Sequence, residues 1–444
     1  MPRRWPIRVP DVSFVIGANA VVIVLIWISH GGLDSLRGLT AQMIAAGQLT
    51  ALLGTYAALV GLVLMSRSPW LDQLFGTDRL VYWHRWVGFA TVWLLVAHTF
   101  FTTAGFAGTD GSSVVDEFSN LLTSYPYVLM ATVGLVLFIA VAVTSVRYAR
   151  RRLSYETWYG IHLYAYLAIA LAFAHEFVIG SDFVGDTLAQ VYWIALYLVV
   201  VGLIVAFRIG QPILLNLRHR FRVENVVQEA PGFVSIYISG RRLDTLPVRA
   251  GQSFQWRFLA GGGWWRPHPF SLSAAPNGKW LRITAKASGD DSDAFADLKV
   301  GTRVFAEGPY GAFTGDRIRS RKVLLVAGGI GITPLRALLE EFPSRRGGVT
   351  LLYRASSPAD LVFRNELDIL AQARGADVHY LVGRRDSKGV QDPLGAASIR
   401  RLVPDLRDRD IFVCGPDPMI ASVKATLRTL GVPPRRIHAE HFAF

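Results

Sequence analysis

"HRWVGFATVWLLVAH", residues 84–98, is an apolar stretch with a histidine at each end. An ionisable side chain is costly inside a lipid bilayer, and where one occurs it usually faces the interior of a helix bundle and marks a functional path. The fourteen residues from His84 to His98 separate the two imidazoles by about 21 Å along a helix, which places one near each membrane face. A second stretch, "HLYAYLAIALAFAH", carries His162 and His175 thirteen residues apart.

Both stretches belong to an apolar N-terminal half that predicts six transmembrane helices. A helix that spans the hydrocarbon core needs about 20 mostly apolar residues. The stretches that meet this need are 13–30, 41–65, 82–104, 126–146, 158–178 and 189–209. The first lacks a small-residue cleavage site and is followed by more spans, so we interpret it as a membrane helix and not as a signal peptide.

The basic residues near the span ends predict the orientation, because Lys and Arg are retained on the cytoplasmic side. Arginines cluster at the N-terminus, in the second and fourth loops and after the sixth span, whereas the third and fifth loops, with Glu176 counted in the fifth, carry acids and no Lys or Arg. We therefore expect a multi-pass protein of a bacterial inner (plasma) membrane with both termini in the cytoplasm. The net charge of +13 then reflects topology and contact with membrane lipid, not nucleic-acid binding. Arg37 is the exception, on the outer side.

The third and fifth spans run in the same direction, so His84 is level with His162, and His98 with His175. A neutral imidazole is a good axial ligand for haem iron. Zinc would need four clustered ligands, and a proton relay would need acidic residues, of which we count none in the spans. Two b-type haems are therefore predicted. Thirteen residues do not return to the same helix face, so the fifth helix is expected to twist, bend or cross at an angle.

The soluble half changes pattern twice. Residues 1–217 form the predicted six-helix di-haem domain, and short alternating segments bounded by Gly and Pro then predict an antiparallel β-barrel at 218–319. Apolar strands that alternate with helices predict an α/β parallel-sheet domain at 320–444. Cys414 is the single cysteine, which excludes an intramolecular disulfide and a cysteine-ligated metal cluster.

Two stretches of the barrel are candidates for binding a flavin nucleotide. In "RPHPFSLSAAP" an aromatic ring can pack on a flavin, a serine hydroxyl can bond a flavin nitrogen, and a basic pair is placed to meet phosphate. "KASGDDSDAF" precedes a short helix whose N-terminus would receive phosphate. The alternative for each stretch is an ordinary strand end or helix cap. The candidate residues are Arg266, His268, Pro269, Phe270, Ser271, Lys286, Gly289 and Ser292.

"LLVAGGIGITPLRALL" predicts a strand, a glycine-rich turn and a helix. Gly328, Gly329 and Gly331 would let the backbone approach a pyrophosphate, Thr333 can cap the helix, and Pro334 suits its first turn. A glycine-rich turn alone is weak evidence, and this one is not the G-x-G-x-x-G fingerprint. Its position directly after a strand strengthens it.

"FVCGPDPMI" ends a later strand with Cys414, Gly415 and Pro416. Cys414 is either a small buried core residue or a side chain that lines a hydride-transfer site. Arg354 and Arg384, near the ends of the second and third α/β strands, suit an adenosine 2′-phosphate. They favour NADPH, with NADH as the alternative, although arginines at such loops are often only solvated.

Taken together, these motifs resemble the NADPH oxidase and ferric reductase family over almost the whole chain. The resemblance implies haem ligation by the four histidines, flavin binding by "HPFS" at 268–271, dinucleotide binding by "GGIGITP" at 328–334 and a nicotinamide beside "CGP" at 414–416. Such chains typically end in an acidic residue and an aromatic that covers the flavin. Here the end is "HAEHFAF", so Glu440 and Phe442 match by position, with Phe444 as a competing lid.

The resemblance implies a path for electrons from cytosolic NAD(P)H through FAD and two b-type haems to the outer face. Oxygen reduced to superoxide is the first expectation for the acceptor, and Arg37 is the candidate that holds it, unless it is a snorkelling arginine. A ferric chelate or an extracytoplasmic redox partner is the alternative. A different class of function is a non-enzymatic haem-binding or haem-transport protein with a nucleotide-sensing domain. No EF-hand loop or proline-rich tail is evident, so no obligatory cytosolic activator is expected.

Overall fold

A computed structural model describes residues 9–33, 37–181, 183–261, 263–286, 295–342, 346–383 and 392–441. Five of the candidate residues lie outside the described residues. These are Gly289, Ser292, Arg384, Phe442 and Phe444.

The N-terminal half is helical. Its helices are Val9–Ser29 (α1), Leu39–Leu64 (α2), Pro69–Phe75 (α3), Thr77–Asp110 (α4), Val114–Ser124 (α5), Val128–Ser145 (α6), Arg147–Arg150 (α7), Tyr155–Ile179 (α8), Thr187–Ile204 (α9) and Gln211–His219 (α10). Within the described residues, six helical segments are long and apolar enough to cross a membrane, namely α1, α2, α4, α6, α8 and the continuous α9–α10 segment. The six predicted spans are thus confirmed, and the chain is a multi-pass membrane protein.

Polar side chains cap several helices where the chain turns between spans. The Ser113 hydroxyl accepts the backbone N–H of Asp116 at the start of α5, and the Ser154 hydroxyl accepts that of Thr157 at the start of α8. Asp186 caps α9 through two backbone N–H groups. Such caps satisfy amides that the first helical turn leaves without partners, so each cap fixes the residue at which its helix begins.

The C-terminal half contains eleven described strands in three sheets. The strands are Arg222–Ala230 (β1), Phe233–Ser239 (β2), Ser253–Phe258 (β3), His268–Ser271 (β4), Trp280–Lys286 (β5), Val304–Tyr310 (β6), Lys322–Gly328 (β7), Val349–Ala355 (β8), Asp377–Val382 (β9), Arg409–Gly415 (β10) and Ile437–His441 (β11). The first six form two antiparallel sheets in the orders β1-β2-β5 and β4-β3-β6. Isolated bridges link β1 to Arg303, next to β6, and Leu272, next to β4, to β5. Closure of these sheets into a barrel remains a prediction.

The last five strands form one parallel sheet in the order β11-β10-β7-β8-β9. Its described helices are Ile332–Glu341 (α11), Arg364–Arg374 (α12), Ala396–Leu402 (α13) and Asp417–Thr429 (α14). Leu325, Leu351 and Phe412 are fully buried, as expected for strands covered on both faces. The α/β expectation for this part of the chain is confirmed.

The contacts within the chain divide it into two compact units. One holds the membrane helices up to Arg208, and the other holds the chain from Ile209 onward. The second, called the C-terminal unit below, also includes Pro69–Asp78, although these residues lie between α2 and the body of α4 in sequence. A segment between two spans is therefore part of the C-terminal unit.

Candidate functional site

The four membrane histidines meet in the two predicted pairs. The ring centres of His84 and His162 are 5.8 Å apart, and those of His98 and His175 are 6.4 Å apart. His84 and His98 both lie on α4 and His162 and His175 both lie on α8. The two pairs therefore occupy two levels of the same helix pair.

Backbone carbonyls of α2 orient the two histidines of α4. The Nδ1 atom of His84 lies 3.1 Å from the carbonyl oxygen of Gly61, and that of His98 lies 3.0 Å from the carbonyl oxygen of Gly47. A carbonyl only accepts, so Nδ1 carries the proton and donates it in both cases. Nε2 is then the nitrogen with a lone pair.

The histidines of α8 have different partners. His175 turns its Nδ1 towards the carbonyl oxygen of Ala172 in its own helix, at 2.6 Å. His162 turns its Nδ1 towards the hydroxyl of Ser145 at 3.4 Å, while its ring packs on Trp158 with centres 5.0 Å apart. α8 is one continuous helix, although His162 and His175 are thirteen residues apart and do not lie on the same helix face. The different orientations of the two side chains compensate for part of this offset.

This geometry fits iron held between two imidazoles. With a metal–nitrogen bond of about 2 Å, two imidazoles on opposite sides of one ion have ring centres roughly 6 Å apart, close to both observed distances. Metal-ligating histidines usually donate the other ring N–H to a carbonyl or a similar acceptor, as these do. The residues present therefore fit two bis-histidine haems.

Glycines on α2 allow the close approach to α4. A Cβ added at Gly47 would lie 2.5 Å from the hydroxyl oxygen of Thr102, and one at Gly54 would lie 2.9 Å from Leu95. Gly47, Gly54 and Gly61 follow one another at intervals of seven residues, and seven residues are nearly two helical turns. The fourteen residues from Gly47 to Gly61 match the fourteen from His84 to His98. Sequence reasoning missed these glycines, although their spacing was the available signal.

Glu176 corrects one expectation. It was counted in the fifth loop, and the spans were expected to contain no acid, but it lies inside α8 directly after His175. Its carboxylate accepts hydrogen bonds from the hydroxyls of Thr55 at 2.8 Å and Tyr197 at 2.9 Å. The two bonds link α8 to α2 and α9. The expectation was wrong because Glu176 lies within the predicted span 158–178 itself, and α8 extends to Ile179.

Arg37 is exposed and directly precedes Gly38, the N-cap of α2. It precedes α2, which begins at Leu39, and Gly47 lies eight residues further along this helix, or about 12 Å. Its role in holding an acceptor stays a prediction.

The candidate flavin strand is the edge strand β4. Phe270 packs edge-on against the buried Phe295, with ring centres 5.6 Å apart, and His268 contacts the same ring at 4.9 Å. Ser271 is buried at the end of the strand, and Pro269 is exposed. The guanidinium of Arg266, two residues before β4, lies over the ring of Trp265 at 5.3 Å. Lys286 ends β5, with its ammonium 5.5 Å from the ring of Phe233.

The glycine-rich turn follows β7 as predicted, but its glycines differ in role. A Cβ at Gly331 would lie 2.3 Å from the carbonyl oxygen of Cys414, and one at Gly328 would lie 2.5 Å from the sulfur of Met419. These two glycines are required by packing within the protein. Gly329 has a positive φ of 53° and open space beside it, so it is the glycine of the three that a ligand can approach.

Thr333 does not cap the helix as expected. The N-cap of α11 is Gly331, and no side chain caps it. The Thr333 hydroxyl is buried and donates to the carbonyl of Ile330 at 3.0 Å, because Thr333 lies inside the first turn. Pro334 is in that first turn as predicted. The first backbone N–H groups of α11 are therefore not capped by a side chain, and such groups attract phosphate.

Cys414, Gly415 and Glu440 meet at the carboxyl ends of the parallel strands. Cys414 on β10 is opposite Glu440 on β11 in the register. The Cys414 thiol is fully buried, and burial raises its pKa well above the ordinary value. It is therefore an uncharged thiol in a packed environment. Pro416 follows as the N-cap of α14.

Arg354 lies at the end of β8, where Nη1 donates to the carbonyl oxygens of Leu381 at 2.9 Å and Ala355 at 3.3 Å. These bonds hold the guanidinium at the carboxyl edge of the sheet. In open α/β sheets, ligands bind outside this edge. The position suits a nucleotide contact, and its selectivity stays a prediction.

Comparisons with known proteins support this arrangement. The sequence profile of a ferric reductase like transmembrane component matches residues 50–173, which include His84, His98 and His162, and His175 lies two residues beyond the match. The profile of an oxidoreductase NAD-binding domain matches residues 325–425. The chain belongs to the NADPH oxidase and ferric reductase family.

The relatives of this family member match part of the chain. It is 32% identical over 193 residues to ferredoxin–NADP reductase B of Sorangium cellulosum, covering 39% of the chain and 77% of that protein. It is 32% identical to the glycine betaine monooxygenase reductase subunit of Chromohalobacter salexigens over 185 residues, or 39% of the chain and 50% of the relative. A flavohemoprotein of Vibrio cholerae is 33% identical over 184 residues, covering 39% and 45%. The chain spans about half the length of most of the curated relatives it matches.

Among solved structures, the FAD/NAD-binding domain of a nitric oxide dioxygenase from Vibrio cholerae is 25% identical, with a TM-score of 0.41, and covers 50% of the chain and 98% of that domain. A ferredoxin–NADP⁺ reductase from Neisseria gonorrhoeae with bound FAD and NADP is 21% identical, with a TM-score of 0.43, over 50% and 98%. The sequence relatives make the C-terminal half an FAD- and NAD(P)-binding oxidoreductase module. The expectation of an enzyme is confirmed.

Proposed function

We propose that the chain carries electrons from NAD(P)H, on the cytoplasmic side of a bacterial inner membrane, through FAD and two b-type haems to oxygen on the outer face, giving superoxide. The main support for this proposal is the two histidine pairs, whose ring centres are 5.8 and 6.4 Å apart. They lie in the membrane half of a chain whose C-terminal half is a reductase module. The arginine-rich loops predicted to be cytoplasmic support the orientation.

His84 and His162 would hold the inner haem, and His98 and His175 the outer one. Bound FAD accepts a hydride from the nicotinamide, and bound haems accept and pass on single electrons. The residues of the chain fix the geometry. The carbonyls of Gly47 and Gly61 keep the proton on Nδ1, so that Nε2 would be the nitrogen that holds the metal.

The nucleotide groups would be bound at the carboxyl edge of the parallel sheet and along β4. The backbone at Gly329 and the N-terminus of α11 bind the pyrophosphate of NADPH, and Arg354 with Arg384 binds its 2′-phosphate. We assign NADPH as the donor, with NADH as the alternative. The FAD contacts are "HPFS" at 268–271 with Arg266, Lys286, Gly289 and Ser292, and Phe442 or Phe444 covers the flavin.

The acceptor proposed is small and uncharged. Asp110 and Asp116 are exposed at the predicted outer face, and their negative charge disfavours bulky anionic chelates. Within the described residues, no group of three or more His, Cys, Asp or Glu side chains that could hold a metal ion is found. The match to a ferric reductase like component makes a ferric chelate the second candidate. Membrane lipid is the expected partner, without nucleic acid and without an obligatory cytosolic activator.

The deciding experiment has two stages. NADPH is added anaerobically to the purified protein with FAD, and we expect the flavin to bleach and reduced b-type haem bands to form. Oxygen uptake with superoxide-dismutase-sensitive dye reduction is then compared with ferric citrate reduction under nitrogen. Flavin bleaching without haem reduction would refute transmembrane electron transfer, and faster reduction of the ferric chelate would replace oxygen as the acceptor.

Arg37→Ala tests the outer site in the same assay. If Arg37 holds the acceptor, the variant should raise the KM for oxygen while the haems are still reduced by NADPH. Unchanged kinetics with oxygen would remove Arg37 from the site.

A further inference from the structure

The segment between the second and third spans is anchored in the C-terminal unit. We call Pro69–Asp78 the interspan segment. The buried carboxylate of Asp72 accepts a hydrogen bond from the backbone N–H of Gly311, which follows β6. The guanidinium of Arg317 donates to the carbonyls of Gln73 at 2.7 Å and Leu74 at 3.1 Å. A cation at the end of a helix satisfies carbonyls that the helix leaves without partners.

The end of the interspan segment reaches the last described strand. The carboxylate of Asp78 lies near the backbone N–H of His441 at the end of β11. The second oxygen of Asp72 accepts from the Thr77 hydroxyl at 2.5 Å, which ties the two aspartates into one turn. The interspan segment thus brings two carboxylates to the C-terminal unit, one at Gly311 and one at His441.

Glu440 lies between these two contact points. It directly precedes His441 in the chain, and a Cβ added at Gly311 would lie 3.7 Å from its Oε1 atom. Its Oε2 atom is buried, and no hydrogen-bond partner for it is found among the described residues. On its other side it is opposite Cys414 in the β10–β11 register. Gly311, which binds Asp72, and His441, which lies near Asp78, are therefore both neighbours of the carboxyl group of Glu440.

Among the described residues, the charged groups that act on Glu440 are the acids Asp78 and Asp72, and none of them is a cation. Cys414 is a neutral buried thiol. On α14, Asp417 bonds the His441 ring at 2.7 Å, and Lys424 acts on Asp78. Burial, followed by the charges of Asp78 and Asp72, raises the pKa of Glu440 well above the ordinary value of a glutamate. Buried carboxyl groups that repel one another do not all ionise at neutral pH.

We propose that Asp72 and Asp78 are positioning residues that keep Glu440 protonated, so that it serves as a neutral hydrogen-bond donor beside the site of hydride transfer. An ionised carboxylate only accepts hydrogen bonds, and its charge would oppose the negative charge that a hydride brings to the flavin. A protonated carboxyl group offers an O–H instead. The assignment rests on the proposed function for its location beside the flavin, but the protonation of Glu440 is measurable by itself.

The first measurement is infrared spectroscopy of the full-length protein with FAD. The carbonyl band of a protonated carboxyl group, assigned by its loss in Glu440→Gln, should persist in the wild type at neutral pH. Asp72→Asn and Asp78→Asn each remove a charge but keep a side-chain oxygen that can accept a hydrogen bond. Each should move the loss of this band to lower pH, by about one pH unit for a neighbouring charge.

Asp417→Asn is the matched control. Asp417 also binds His441, but 74% of its side chain is exposed, so solvent screens its charge and its replacement should leave the band nearly unchanged. A wild-type protein without the band at neutral pH, or a band that neither Asp72→Asn nor Asp78→Asn moves, would overturn the proposal. The FAD content of each variant shows whether it is folded. Because Asp72→Asn and Asp78→Asn are tested separately, misfolding of one still leaves the other as a test.

The second measurement is the rate of flavin reduction by NADPH under anaerobic conditions as a function of pH. The rate in the wild type should fall at the pH at which the carboxyl band disappears, and this fall should move to lower pH in Asp72→Asn. Glu440→Gln should be insensitive to pH in that range. If NADPH reduces the flavin of no variant, the proposed function fails, whereas the infrared result still decides the protonation of Glu440. A pH profile that stays unchanged in Asp72→Asn while the band moves would refute the link to hydride transfer.

Discussion

The outer and inner histidine pairs share one design but differ in how firmly their rings are oriented. In the outer pair, His98 and His175 both donate to backbone carbonyls, at 3.0 and 2.6 Å. In the inner pair, His84 donates to a carbonyl at 3.1 Å, but His162 faces the Ser145 hydroxyl at 3.4 Å. The ring planes are 35° apart in the outer pair and 69° apart in the inner pair. A carbonyl inside a helix cannot rotate away, whereas a serine hydroxyl can, so the inner pair is the more adaptable.

Helix packing is also tighter around the outer histidine pair than around the inner one. At the outer level, Gly47 leaves no room for a methyl group beside Thr102, whose hydroxyl is also 3.2 Å from the Nδ1 atom of His98. At the inner level, a Cβ at Gly61 would lie 3.7 Å from the Nδ1 atom of His84, an ordinary contact. The difference indicates that tight helix packing fixes the position of His98, and that it fixes the position of His84 less.

Removal of one imidazole from each pair has the largest expected effect. His98→Leu and His84→Leu should each lower the haem content from two per chain to one, because an axial ligand is lost. In His98→Leu the remaining haem should still be reduced by NADPH. In His84→Leu the remaining haem should be reduced by dithionite but not by NADPH, since the inner step is missing.

Haem content and anaerobic difference spectra measure both outcomes. His30→Leu is the control, because His30 pairs with Asp186 at 3.1 Å and belongs to neither histidine pair, so it should keep two haems. Two haems in both leucine variants would contradict the assignment of ligands.

The histidine levels were predictable from sequence because helix rise and span direction alone determine them. His84 and His162 pair as the fourteen- and thirteen-residue spacings indicate, and the six spans follow from hydropathy. The partners of the imidazole rings were not predictable in this way. The Ser145 contact depends on the rotamer of His162, and the bonds from Thr55 and Tyr197 to Glu176 join distant parts of the chain.

In the C-terminal unit, even fewer of the side-chain contacts could be predicted from the sequence. Its strand and turn motifs were recognisable locally, and β7 with the glycine-rich turn lies where expected. The sequence does not reveal that Gly328 and Gly331 are required by Met419 and Cys414, because these contacts join distant parts of the chain. The bond from Gly311 to Asp72 spans 239 residues, and no local pattern indicates it. Periodicity predicts elements, whereas the environment of Glu440 arises only from their assembly.

A matched pair of alanine substitutions tests the difference in packing. Gly47→Ala introduces a methyl group 2.5 Å from the Thr102 hydroxyl, and overpacking of this kind costs about 1–3 kcal/mol. We expect a partial loss of the outer haem and a shift of its midpoint potential. Gly61→Ala should leave the haem content near that of the wild type.

Redox titration followed by optical spectra separates the two haems in these variants. Gly54→Ala provides an intermediate case, because the methyl group would meet the flexible end of Leu95 at 2.9 Å. Equal losses of haem in Gly47→Ala and Gly61→Ala would show that helix packing is equally tight around the outer and the inner histidine pair.

Replacement of Ser145 should have the smallest effect of these substitutions. It tests most directly whether the ring of His162 is less firmly oriented than the rings of the outer pair. The hydroxyl lies 3.4 Å from the Nδ1 atom of His162 and also accepts the Trp158 indole N–H at 3.2 Å. Loss of a partner behind a metal ligand typically costs 10–100-fold in affinity, and a long bond to a mobile hydroxyl places Ser145→Ala at about the lower end of that range. The inner haem should therefore dissociate about tenfold more readily during transfer to apomyoglobin, with the outer haem unaffected. Ser145→Thr, which keeps a hydroxyl, should restore retention of the inner haem. If Ser145→Ala instead weakens the outer haem, the hydroxyl acts through the packing of α6 against α8 and not through His162.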